Sequence, residues 1–158
     1  MPTFTSKPFL ILSALVVTCA YGMLLSPGLI LADEAPRQDK MQVVYHLDSN
    51  DPALAKYTMA LIDKHMEAEG GPDKIDVVLV VHGPALKLFE SATVDQELKD
   101  KLKLIIDKGA TAEMCQVSMK LYGTPLEKLL AGFKPTEHPV AVKRIADLQR
   151  AGYVYIKP

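Results

Sequence analysis

Four runs of apolar residues along the chain have the composition of β-strands. They are MQVVYHL (41–47), KIDVVLVVHG (74–83), ATAEMC (110–115) and YVYIKP (153–158). The second run contains five consecutive apolar residues, from Val77 to Val81, which is typical of a strand that is buried on both faces. Val and Tyr, which favour strands, are frequent in the first run. We therefore expect strands at these four places.

The segments between these runs have the spacing of apolar residues that is typical of helices. The first helix is predicted to begin at a cap provided by Ser49 or Asn50 and to end at Gly70. Longer helices are also predicted in VDQELKDKLKLIIDKG and PVAVKRIADLQRAG, and short helical pieces in PALKLFE, QVSMKLYG and PLEKLLAG, whereas FKPTEH is predicted to be a loop. The apolar positions that recur at helical spacing are Leu54, Tyr57, Leu61 and His65, then Leu98, Leu102 and Ile105, and finally Ala141, Ile145 and Leu148.

Strands and helices alternate along the chain, and connections of helix length favour parallel strand pairing. The pattern predicts an α/β fold, a three-layer α/β/α domain with a mostly parallel sheet. Ligands and reactive groups collect beyond the carboxyl ends of parallel strands. We therefore expect the segments His46–Asn50, His82–Pro84 and Cys115–Gln116 to lie on one rim of the sheet.

The N-terminus carries a long uncharged segment. No charged residue lies between Pro8 and Leu31, and Lys7 precedes the segment. A positive flank followed by an apolar run is the layout of a secretory signal or an N-terminal membrane anchor, and this run reaches the length of about 20 residues that a bilayer span needs. Three outcomes stay open: a signal peptide cleaved after Ala32, an uncleaved anchor, or a lipoprotein attached at Cys19.

All three outcomes predict export, because Lys7 should stay on the inner side of the membrane. We expect a periplasmic or otherwise exported protein, which contacts the inner membrane only if residues 8–31 are retained as an anchor. Residues 1–32 are assigned to the signal or anchor, 33–40 to a polar leader, and 41–158 to a single domain, since this length supports one hydrophobic core but not two.

Composition and motifs exclude several classes of function. The chain has 18 basic and 19 acidic residues, a net charge of −1 and no basic run, so nucleic acid is not an expected partner. No dinucleotide-binding glycine motif, phosphate-binding loop or C-x-x-C motif is present, and we predict no cofactor. The four histidines are dispersed and lack the spacing of a structural zinc site, so no metal is predicted either.

Cys115 is the only cysteine after Cys19, and a lone thiol is unusual in an oxidising compartment. It falls between a predicted strand and a predicted helix, where the helix N-terminus would lower the pKa of the thiol. The backbone N–H groups of Gln116 and Val117 would then stabilise the thiolate, with His82 as a neighbouring donor. The alternative is that Cys115 is a small packing residue, since free cysteines are often buried.

The remaining candidates lie on the same predicted rim. His82 is a candidate acid, base or thiolate partner, although a structural histidine is equally compatible with its position. Gly83, His46 and Asn50 are candidate binding residues. His65 and His138 are interpreted as structural.

Four stretches resemble the DsrE/DsrF-like family of small α/β proteins linked to sulfur metabolism. They are VVYHLDSNDPALAKYTMALIDKHMEA, DVVLVVHGPALKLF, GATAEMCQVSMK and IADLQRAGYVYIKP, which together cover nearly the whole domain. The second and fourth are the most specific. The resemblance implies a sheet of about five parallel strands and assembly into trimers or hexamers. In many members it also implies a cysteine that carries sulfane sulfur as a persulfide, and Cys115 falls at that position.

On this resemblance we expect an exported protein that binds or transfers sulfane sulfur through Cys115. Its partners would be sulfur donor and acceptor proteins or small thiols. The sequence departs from some relatives because it lacks further cysteines around the thiol. The alternative hypothesis is a non-catalytic oligomeric assembly or small-ligand-binding module in which Cys115 is structural.

Overall fold

Five parallel strands form the centre of the fold in the computed structural model, which describes residues 40–158. The strands are β1 (Met41–Leu47), β2 (Ile75–Val81), β3 (Thr111–Met114), β4 (Phe133–Pro135) and β5 (Val154–Ile156), in the spatial order β4-β3-β2-β1-β5. All four neighbouring pairs are parallel. The signal or anchor predicted at 1–32 lies outside the described residues, as does nearly all of the polar leader.

Helices cover both faces of this sheet. They are α1 (Pro52–Ala68), α2 (Gln96–Asp107), α3 (Gln116–Tyr122) and α4 (Ala141–Arg150), with 3₁₀ helices at Gly83–Phe89 and Leu126–Lys128. Buried residues of α1 and α2 pack in one apolar cluster with the sheet, and those of α4 pack in a second cluster on the opposite face. This arrangement confirms the predicted three-layer α/β/α fold. Within residues 40–158, no helix is both long and apolar enough to span a bilayer.

The central strand β2 is buried on both faces, as its apolar run predicted. Residues from Val77 to Val81 are at most 4% exposed. Alternate residues along β2 enter opposite clusters, because successive side chains of a strand point to opposite faces. The two apolar layers therefore share one strand, and removing it would expose both.

Two predictions about α1 are wrong in detail. The helix is capped by Asp51, whose side chain accepts a 2.8 Å hydrogen bond from the Ala53 N–H, and not by Ser49 or Asn50. Pro52 occupies the first helical turn and so places the cap directly before it. The row of residues that packs on the sheet is also shifted, because Tyr57 is 57% exposed. The buried positions are Ala55, Thr58, Met59, Ile62 and Met66.

The segment predicted as a loop, FKPTEH, begins with strand β4. Phe133 pairs with Ala112 of β3, and Pro135 pairs with Met114. A three-residue edge strand that contains proline has too little periodicity to be recognised in the sequence. Its conformation comes from pairing with β3, which is a tertiary interaction.

A buried ion pair joins the sheet to α4. Glu113 of β3 is fully buried, and its two carboxylate oxygens accept hydrogen bonds from Nε and Nη2 of Arg144, each at 2.9 Å. Two parallel bonds of this kind fix the relative position of both side chains. Arg144 also contacts Glu137, which lies in the segment that leads into α4.

We expect the Arg144→Ala substitution to lower the free energy of unfolding by about 3 kcal/mol, because Glu113 would keep a buried charge without its main partner. Urea unfolding followed by circular dichroism measures the loss. Arg150→Ala is the matched control, since Arg150 is largely exposed and pairs only at the surface with Asp147. Equal losses in the two variants would contradict the assigned role of the buried pair.

Candidate functional site

The carboxyl ends of β1, β2 and β3 form one rim, as the sequence predicted. His46 is the second-last residue of β1, His82 directly follows β2, and Cys115 directly follows β3. The Cys115 N–H donates a 2.9 Å hydrogen bond to the Val81 carbonyl, so the β2–β3 pairing continues up to the thiol. Three candidate residues, distant in sequence, are therefore neighbours on adjacent strands.

Two histidines contact each other on this rim. Nε2 of His46 lies 2.6 Å from Nε2 of His82, and the rings stack with centroids 4.7 Å apart. At that distance one nitrogen must carry the hydrogen and the other must accept it. Nδ1 of His46 is 2.7 Å from the hydroxyl oxygen of Tyr155 in β5. The position of the hydrogen on His46 is thus coupled to both neighbours.

Asp48 and Lys157 complete the polar group. Oδ2 of Asp48 lies 3.7 Å from Nε2 of His46, and Lys157 Nζ donates a 2.7 Å hydrogen bond to the same carboxylate oxygen. One ligand atom from each of His46, Asp48 and His82 lies within 4.8 Å of the others. We refer to these three residues as the rim triad.

The environment of the rim triad favours neutral imidazoles beside a charged carboxylate. Burial, and next the proximity of His82, lower the pKa of His46 to about 4. Burial also lowers the pKa of His82. For Asp48, burial acts to raise the pKa, but the hydrogen bond from Lys157 and the neighbouring His46 outweigh it, and the pKa of Asp48 is lowered. At neutral pH both imidazoles are therefore neutral, and each keeps one nitrogen lone pair.

Cys115 is buried, which is the environment expected if it is a small packing residue. It is 4% exposed and packs in the apolar cluster with Val44, Val80 and the α4 residues Ala141 and Ile145. Its Sγ lies 3.5 Å from the carbonyl oxygen of Pro139, to which the thiol donates a hydrogen bond. The reason is that the residues that lead into α4 lie over the end of β3.

These residues, 136–140, form what we call the cover segment. Its carbonyl groups accept hydrogen bonds from the start of α3. The Val117 N–H donates to Pro139 at 3.2 Å, and the Gln116 side chain donates to Thr136 at 2.6 Å. The predicted role of Val117 in stabilising a thiolate is thus not realised here, because its N–H is already hydrogen-bonded.

The other candidates have local structural contacts. Gly83 adopts φ +60°, which favours glycine, and its N–H donates a 2.8 Å hydrogen bond to Ser118 Oγ. Asn50 is exposed and precedes the helix cap. His65 hydrogen-bonds the hydroxyl of Tyr45, and His138 accepts from the Val140 N–H in the cover segment.

Part of the site was not identified from the sequence. Asp48 was expected on the rim within the segment His46–Asn50 but was given no chemical role, and Tyr155 and Lys157 were not identified as candidates. The strand order brings these residues together, because β5 pairs with β1 and so places the last strand beside His46. The alternation of YVYIKP puts Tyr155 and Lys157 on the same side of a strand, but only the identity of the neighbouring strand reveals what they contact.

Comparisons with known proteins identify related folds. A model of the DsrE/DsrF-like family matches residues 41–158. A protein of unknown function, MTH1491 from Methanobacterium thermoautotrophicum, superposes with a TM-score of 0.66 at 18% identity, over 75% of this chain and 100% of that one. The ychN protein from E. coli superposes with a TM-score of 0.59 at 10% identity, over 75% and 99% of the two chains. At these identities the two structures support the fold alone. A comparison with curated proteins found no match.

The hydrogen bond from Gln116 to Thr136 is expected to limit the reactivity of Cys115. We expect Gln116→Ala to accelerate alkylation of Cys115 about fivefold, since a lost hydrogen bond of about 1 kcal/mol raises the population in which the cover segment is open. Iodoacetamide labelling with peptide-resolved mass spectrometry measures this rate separately from that of Cys19. Gln96→Ala, in the exposed first turn of α2, is the control. An unchanged rate in Gln116→Ala would show that this bond does not control access.

Proposed function

The chain belongs to the DsrE/DsrF-like family, which indicates a role related to sulfur metabolism, and from that premise we propose that Cys115 carries sulfane sulfur as a persulfide. Cys115 is the free cysteine of the part of the chain that the structure describes. The observation that carries the proposal is its place at the carboxyl end of β3, beside His82 on the rim. Ligands of parallel α/β proteins bind at such rims.

The proposed reaction is an exchange of sulfur between thiols. The Cys115 thiolate attacks the terminal sulfur of a donor persulfide or polysulfide, so that a new S–S bond forms on Cys115 while the donor S–S bond breaks. The donor leaves as a thiolate and accepts the proton released by Cys115. An acceptor thiolate then attacks the outer sulfur, and Cys115 leaves as the thiolate. No net oxidation or reduction occurs, because each S–S bond that breaks is replaced by another.

The burial of Cys115 means that this exchange needs a conformation in which the thiol is accessible. With Sγ under the Pro139 carbonyl and 4% of Cys115 exposed, a donor reaches the thiol only when the cover segment moves away. The segment has no regular secondary structure before Ala141, and three of its residues, Glu137, Pro139 and Val140, are exposed. Opening requires the hydrogen bonds from Val117 to Pro139 and from Gln116 to Thr136 to break. In the proposed open state, the Val117 N–H is released from Pro139 and can donate to the persulfide.

We expect the full-length protein to gain the mass of one sulfur atom after incubation with polysulfide, because Cys115 forms a persulfide. Intact mass spectrometry detects the gain, and peptide mapping locates it. Cys115→Ser is expected to abolish the gain, whereas Cys19→Ser retains it. No gain in the wild type, under conditions that load a known persulfide carrier, would refute sulfur carriage.

The burial of Cys115 favours a second candidate: a non-catalytic assembly or small-ligand-binding module in which the cysteine only packs against α4. Its neighbours Val44, Ala141 and Ile145 are apolar and buried, which is the environment of a structural cysteine. On this candidate, Cys115→Ala changes stability but leaves any cellular phenotype intact. The mass measurement above separates the two candidates.

We also propose that the protein is exported by its N-terminal segment and works as a homo-oligomer, a trimer or hexamer. The support for assembly is an exposed apolar surface beside the cover segment. Val117 and Leu121 are one turn apart on α3 and are 48% and 74% exposed, and Val140 and Val142 at the start of α4 are 40% and 60% exposed. The hydrogen bond from Val117 to Pro139 holds these two helix ends side by side.

We expect Leu121→Asp to convert the oligomer into a smaller species, because it places a charge in an apolar contact between copies. Light scattering coupled to size-exclusion chromatography measures the mass. Leu104→Asp serves as the control, since Leu104 is an exposed leucine on α2. A wild-type protein that is monomeric at micromolar concentration would contradict the assembly.

A further inference from the structure

We propose that the rim triad binds a divalent transition-metal ion, with Nε2 of His46, Nε2 of His82 and Oδ2 of Asp48 as its protein ligands. Among residues 40–158, these three side chains form the one group whose metal-ligating atoms all lie within 4.8 Å of one another. The proposal concerns a site separate from Cys115. It does not depend on sulfur carriage, and its test gives a result whether or not the thiol is reactive.

The spacing of the two imidazoles supports a shared ion. Their Nε2 atoms face each other at 2.6 Å, a contact in which one nitrogen donates its hydrogen to the other when no ion lies between them. A tetrahedral Zn²⁺ with Zn–N bonds of about 2.0–2.1 Å separates its ligand nitrogens by about 3.4 Å. The rings thus need to part by less than about 1 Å. His82 lies just after the end of β2 and is partly exposed.

The surroundings of His46 match those of a metal-bound histidine. Tyr155 lies 2.7 Å from Nδ1 of His46, so its oxygen can accept the Nδ1–H and leave the Nε2 lone pair free for an ion. Outer contacts of this kind orient most histidine ligands in proteins.

The ligand set indicates the class of ion. Two imidazoles with one carboxylate suit Zn²⁺, Cu²⁺ or Ni²⁺, whereas Mg²⁺ and Ca²⁺ prefer sites built from oxygen. Three protein ligands leave a coordination position for water or a small anion, as in catalytic zinc sites. His82 and Asp48 are partly exposed, so an exogenous ligand can approach that position.

Substitution of Lys157 is expected to raise metal affinity, whereas substitution of a ligand lowers it. Its ammonium group hydrogen-bonds Asp48 Oδ2 at 2.7 Å, the oxygen that would bind the ion, and adds a positive charge beside it. Lys157 therefore competes with a cation for Asp48. Replacing it by methionine removes the competition and the repulsion while retaining a chain of similar length, so Lys157→Met is expected to tighten metal binding.

The test is titration of the full-length, untagged protein with Zn²⁺ and Cu²⁺ in the presence of a competing chelator. We expect one ion per chain, an affinity loss of about tenfold or more in His82→Ala and in Asp48→Asn, and a gain in Lys157→Met. Asp48→Asn is nearly isosteric and partly exposed, so it provides a readout even if the histidine variant folds poorly. His138→Ala is the matched control, because His138 lies in the cover segment outside the triad.

X-ray absorption of the zinc-loaded protein supplies a readout of the ligands themselves. We expect a first shell of nitrogen and oxygen at about 2.0–2.2 Å, without a sulfur contribution at about 2.3 Å. The proposal is overturned if the wild type binds neither ion stoichiometrically, if His138→Ala loses as much affinity as the triad variants, or if sulfur appears in the first shell.

Discussion

The parallel register between β1 and β2 is the constraint on which the rest of the molecule depends. Seven consecutive residue pairs, from Met41 with Ile75 to Leu47 with Val81, fix how far each strand extends. A slip of one residue would turn every side chain of one strand to the other face. The register is held because both faces of β2 are buried, and the same register brings His46 and His82 to one level of the rim. Packing of apolar residues therefore sets the geometry of polar ones.

The layer formed by α4 links the two chemical features of the rim. Val44 and Val80 lie under α4 together with Cys115, and the two histidines follow on the same face because alternate residues of a strand share a face. The pair formed by Glu113 and Arg144 anchors α4 to β3 a short distance away. The helix thus shields the thiol, and the chain before it forms the cover segment. Access to Cys115 requires the backbone of the cover segment to move, whereas access to the rim triad does not.

The sequence was sufficient for the fold class and for the location of the rim. Long apolar runs such as Val77–Val81 identify a buried strand without knowledge of its neighbours, and the alternation with helices implies parallel pairing. The short strand β4 was predicted as a loop, because its conformation depends on its partner strand. The cap of α1 was predicted at Ser49 or Asn50 and not at Asp51, because several adjacent polar residues can serve as caps. The sequence left open whether Cys115 is buried, because its burial arises from a segment more than 20 residues away in sequence.

The histidines of the rim triad could be predicted one by one, but not as a group. His46 and His82 were each recognised as candidates, but their contact depends on which strands are adjacent, and that order is not encoded in local periodicity. Tyr155 and Lys157 enter the site only because β5 lies next to β1. Local patterns therefore identify individual residues, while the topology decides which of them form a group.

Both outer strands of the sheet are only three residues long, and β4 ends in Pro135, which has no amide hydrogen to donate. Short edge strands offer few unpaired backbone groups to an incoming strand, and a proline removes one further donor. The short edges thereby limit growth of the sheet into fibrillar aggregates.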